Sequence, residues 1–152
     1  MSLWTIYPFL AGLLGVVTMS LVLREERWMH LPELHFISRL GSVFHSKDES
    51  QISMKALHFL MGVIFAYLYT ALFLIVPTPS EPSAVLIVIT CALIGVTHGI
   101  LAMMMMTVLV EEDAPIKREG GFQPAEIMSF MLAYAVYGAT IGLVIGIVPG
   151  LF

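Results

Sequence analysis

The stretch Ala84 to Val110, AVLIVITCALIGVTHGILAMMMMTVLV, contains no charged residue and closes on Glu111, Glu112 and Asp113. At a rise of about 1.5 Å per residue such a helix is ~40 Å long. The hydrocarbon core of a bilayer is about 30 Å thick and is crossed by roughly 20 apolar residues. This run therefore reads as a transmembrane helix and sets the fold class for the whole chain.

Three further segments qualify on either side of it, at about 4–23, 55–77 and 124–148. The composition agrees: of 152 residues 59% are hydrophobic and 12% charged, against about half and a quarter in a soluble domain. The expectation is an all-α fold, a four-helix transmembrane bundle forming one integral membrane domain over residues 1–152. Cys91 is the single cysteine, so no disulfide framework exists within the chain. Pro77 to Ser83, PTPSEPS, cannot continue a helix, and the spans it joins are expected to lie side by side.

Charge supplies an orientation. The seven basic residues, Arg24, Arg27, Arg39, Lys47, Lys55, Lys117 and Arg118, all fall in the first and third connections or at their edges. The opposite side carries only Glu81. The positive-inside rule then places those two connections in the cytoplasm and both termini on the outer side of the membrane. The first span has no basic residue before its apolar run and is followed by REER, Arg24 to Arg27, so an uncleaved anchor is expected rather than a secretory signal.

In the long first connection Leu31, Leu34, Ile37, Leu40 and Phe44 recur every three or four positions. That spacing predicts a short amphipathic helix at about 31–44, lying in the cytoplasmic interface or folded beneath the bundle.

An internal echo relates the halves. MSLVLRE at Met19–Glu25 matches MTVLVEE at Met106–Glu112, and HFLMGVIFA at His58–Ala66 matches YAVYGATIG at Tyr134–Gly142. Two parallel-related helical hairpins are expected. Small residues four apart, Gly95 and Gly99, then Gly138, Gly142 and Gly146, form smooth faces for close helix packing, within the chain or against another protein.

Candidate chemistry is sparse. Nine of the eleven methionines map to the cytoplasmic half of the spans, and thioethers suit soft cations such as Cu(I). Consecutive helix residues turn about 100°, however, so Met103 to Met106 cannot all address one site. Filling gaps beside glycine faces is the competing role. The possible metal set is His98, Met105 and Met106. His58 lies toward the cytoplasm and His98 near mid-membrane, a depth difference of ~12 Å that disfavours a shared haem. A histidine at mid-membrane is either functional or a neutral imidazole hydrogen-bonded to a Thr or Tyr across the bundle. Glu126, two residues after Pro124, suits a helix N-terminus. Glu111 to Asp113 read as a solvated exit or a cation-attracting mouth. His30, His35 and His45 have no zinc-type spacing.

No phosphate-binding glycine loop, CxxC pair, HExxH or GxSxG is present, nor any basic nucleic-acid surface. An enzyme acting alone is not expected.

The segments AGLLGVVTMSLVL, LPELHFISRLGSVF, HFLMGVIFAYLY, THGILAMMMM and YAVYGATIGLVIG together resemble a group of small bacterial four-span membrane proteins that has no assigned activity. The resemblance spans nearly the whole chain and implies no catalytic residue. The expected role is that of an accessory subunit of the bacterial inner membrane, bound to membrane lipids and packing through its glycine-rich helix faces against other integral membrane subunits or against itself, without cofactor. The alternative is a copper or small-solute carrier using the methionine layer and His98.

Overall fold

The computed structural model describes residues 3–24, 51–75, 83–113 and 124–147. These form four α-helices and, among the described residues, no strand: α1 (Leu3–Arg24), α2 (Gln51–Ile75), α3 (Ala84–Asp113) and α4 (Pro124–Gly146). All four are long and apolar enough to cross a membrane. The expected interfacial helix at 31–44 lies outside the described residues.

The helix ends differ from the apolar runs for a physical reason. Hydrophobicity marks the part of a helix that lies in hydrocarbon, whereas backbone hydrogen bonding continues past it. So α2 starts a turn early at Gln51, and α3 runs through Glu111 to Asp113. At 30 residues, α3 is ~45 Å long and overhangs the hydrocarbon by about 15 Å. Its start is capped: the Leu86 amide donates to Ser83 Oγ at 3.2 Å, the usual way to satisfy a free N–H of the first turn. Pro124 opens α4, where a missing N–H costs nothing. Pro8 sits inside α1 and is fully buried.

The closest helix pair is α3 with α4, followed by α1 with α4 and α1 with α2. Both chain-adjacent pairs at the two ends run antiparallel. Gly12 faces Val63 and Ala66 while Val16 faces Gly62, and Val88 faces Gly142 while Gly95 faces Tyr134. The arrangement departs from expectation between α2 and α3. Although joined by the short proline segment, their backbones scarcely approach. Large side chains stand between them instead, Phe65 and Tyr69 from α2 meeting His98 from α3.

The core combines small and large residues. Ala11, Val16 and Met19 of α1, Ala66 of α2, Cys91 of α3, and Ala133, Ile141 and Ile145 of α4 are buried. Polar side chains in the spans bond back to their own helices: Thr70 donates to the Ala66 carbonyl and Thr97 to the Leu93 carbonyl. Thr18 and Thr140 also meet each other at 2.9 Å across the α1–α4 contact. Each hydroxyl has one hydrogen, so one threonine donates to its helix carbonyl and the other donates to that threonine.

Candidate functional site

Two features deserve a place among the candidates: the glycine seam of α3 and α4, and the aromatic enclosure of His98.

The seam brings together all five predicted packing glycines. A Cβ on Gly138 would fall on the Cys91 carbonyl, and one on Gly95 on the Tyr134 carbonyl. At Gly142 it would stand 2.7 Å from the Val88 Cα, and at Gly99 3.0 Å from the Tyr134 Cβ. Gly146 is looser, with its nearest atom, the Ala84 Cα, at 3.4 Å. The small-residue faces are thus closed against each other inside the chain. Gly12 and Gly62 make a second close approach, between α1 and α2. Gly12 has Pro8 and Val16 four positions to either side rather than a small residue, so four-residue spacing does not mark it.

His98 projects from the next turn after Gly95 into a cage of rings from two other helices. Phe65 lies 4.0 Å away centroid to centroid, Tyr134 4.7 Å, Tyr69 6.0 Å and Tyr137 6.4 Å. The glycine seam is what admits it, because close approach of α3 and α4 at Gly99 lays the Tyr134 ring against α3. His98 Nδ1 is 3.1 Å from the Tyr69 hydroxyl. Tyr69 is only 3% exposed, and among the described residues that nitrogen is the only acceptor for its O–H. A buried hydroxyl left without an acceptor is costly, so Tyr69 donates to Nδ1 and the imidazole proton resides on Nε2. Tyr137, packed 5.8 Å from Tyr69, donates its hydroxyl to the Gly62 carbonyl. Through these side chains α2 is fastened to both α3 and α4.

The other predicted site residues are dispersed. His58 stands half-buried and edge-on to Phe59 at 6.4 Å, and it is not among the ring neighbours of His98. Met105 shares the angular face of His98 but lies two turns further along α3, ~10 Å away along the axis, and is 61% exposed. Met104 is exposed beside it, while Met19 is in the core and Met128 faces outward. Among the described residues, Met19, Met104, Met105 and Met128 do not line a common space. Helix α3 includes Met106, Glu111, Glu112 and Asp113, and α4 includes Glu126. Their side chains, together with His30, His35 and His45, lie outside the described residues.

The tyrosines are what sequence reading leaves unassigned. An intramembrane hydroxyl needs a partner, which marks Tyr69, Tyr134 and Tyr137 as worth attention, but no spacing rule pairs residues so far apart in the chain.

Comparison with models of known families, with curated proteins and with solved structures finds no match to this chain. Its function rests on geometry.

Proposed function

We propose that this protein is a small, non-catalytic integral membrane protein of the bacterial inner membrane, with its termini on the outer side, serving as an accessory subunit of a larger membrane assembly or as a homo-oligomer. The observation that carries this reading is the uneven use of helix surface. The glycine faces are occupied within the chain, yet only 22% of the α3 span is buried, against 44% of the α4 span. The outward residues of α3 include Leu86, Ile89, Leu93, Ile100 and Met104, at steps of three, four or seven that form one face. A helix of another subunit, or of a second copy, fits this long apolar face; association then uses bulky side chains rather than the glycines.

The basic residues within the first and third connections and at their edges support the orientation. A photo-crosslinking side chain placed at Leu93 is expected to give one discrete protein adduct in the native membrane. The same group at Leu14, exposed on α1, is expected to label lipid. Lipid adducts alone at both positions would contradict the reading.

A further inference from the structure

Helix α3 carries a second lengthwise stripe, separate from its glycine seam. Leu86, Thr90, Leu93, Thr97, Ile100 and Met104 follow one another by alternate steps of four and three, the 3.5-residue repeat of a coiled-coil seam. At about 100° per residue all six fall within roughly 40° of one line along the helix. The buried positions that meet α4, Ile87, Cys91, Gly95 and Gly99, centre ~160° away around the helix. Thr90 is half-buried and the other five are exposed, so among the described residues no helix of this chain covers the stripe.

Its two threonines say what kind of surface covers it. The apolar span of α3 is Ala84–Met105, which puts Thr97 ~4 Å and Thr90 ~7 Å from its midpoint. Phospholipid head groups begin about 15 Å from the bilayer centre, so lipid chains bring no hydrogen-bonding atom to either. Thr18, Thr70, Thr97 and Thr140 each lie in hydrogen-bonding reach of a carbonyl of their own helix. The Thr90 hydroxyl makes no hydrogen bond among the described residues, and Thr97 keeps lone pairs that can accept.

The chain already contains the joint these groups would make. Where α1 meets α4, Thr18 and Thr140 stand 2.9 Å apart, each beside a carbonyl of its own helix. A second copy in the same membrane has the same orientation. A two-fold axis along the membrane normal then sets α3 parallel to its twin, with each residue opposite its own kind at equal depth. Thr97 meets Thr97 and Thr90 meets Thr90. No charge opposes its like, because Leu86 to Met104 contains none, and two polar layers in an otherwise apolar seam fix its register.

We propose that two copies of this chain pair along Leu86, Thr90, Leu93, Thr97, Ile100 and Met104 of α3, parallel and with a left-handed crossing, the threonines hydrogen-bonded across the axis. The proposal rests on the association through the outward face of α3 described above, and names the partner as a second copy.

The test is oxidative cross-linking by copper phenanthroline of cysteines placed singly in the full chain in native membranes, with the buried Cys91 retained. Leu93→Cys, Thr97→Cys and Ile100→Cys are expected to give a disulfide-linked species of two chains. Leu14→Cys on α1 and Met105→Cys, about 100° around α3 from Met104, are not. Two differently tagged copies expressed together should co-purify. In liposomes, energy transfer between labelled copies should show dimerisation weakened about eightfold by Thr90→Val with Thr97→Val, near threefold for each hydroxyl. Thr90→Ser with Thr97→Ser should stay close to the unaltered chain. Unchanged helical circular dichroism separates lost pairing from lost fold. Co-purification of a different protein and not of the second tag would overturn the pairing while leaving the accessory-subunit reading intact; a lone chain would overturn both. Equal cross-linking at positions 97 and 105, or valine variants that dimerise as before, would also overturn the proposal.

Discussion

The Cys91 carbonyl occupies the position that a Cβ on Gly138 would take. Backbone therefore rests on backbone where α3 meets α4, and neither helix has a flexible side chain that can give way. Gly138→Ala is expected to destabilise the protein by about 1–3 kcal/mol, the usual cost of overpacking. Gly146, whose nearest neighbour is in ordinary contact at 3.4 Å, behaves differently. There alanine is expected to be neutral or to stabilise by up to about 1 kcal/mol through helix propensity. Unfolding in mild detergent measures both; equal losses at the two positions would refute the seam.

The hydrogen bond between Tyr69 and His98 is also measurable. In a double-mutant cycle of Tyr69→Phe and His98→Phe the coupling is expected near 0.6 kcal/mol and no more than about 1.7, the range found for bonds between membrane helices. The imidazole nitrogen spectrum of the unaltered protein should show the proton on Nε2. A proton on Nδ1 would reverse the donor assignment.

Thr18 and Thr140 provide an independent contact between α1 and α4. Either threonine changed to valine should lose the shared bond, so the double variant is expected to cost less than the sum of the singles, by roughly 0.5 kcal/mol or more. Strict additivity would mean that the 2.9 Å approach carries no energy.

Soft-metal chemistry makes a contrasting demand. With Met105 exposed and His98 two turns away among aromatic rings, purified protein is expected to hold no stoichiometric copper, and Met105→Leu to leave metal content unchanged. One equivalent of copper, lost in that variant, would favour the carrier reading instead.

Much of the fold is legible in the sequence. Uninterrupted apolar runs located the four helices, because hydrocarbon thickness fixes how long such a run must be. The four-residue spacing of Gly138, Gly142 and Gly146 marked a contact face for the same kind of reason. Spacing along one helix carries no information about its partner, so it left open whether that face met α3 or another protein. The enclosure of His98 was legible only in part: its need for a hydroxyl partner follows from its depth, but Tyr69 is 29 positions away in sequence, and only folding brings the two together. The separation of α2 and α3 ran against the short connection between them, because bulky Phe65 and Tyr69 hold apart what the connection joins.

Association remains the central claim, and the native mass of the protein extracted in a mild detergent tests it most directly. The prediction is a discrete assembly larger than the 16.8 kDa chain, lost when Leu93 and Ile100 of the outward α3 face are changed to alanine while the helices stay folded. A single species at the mass of one chain, in detergent that preserves other membrane complexes from the same preparation, would contradict it.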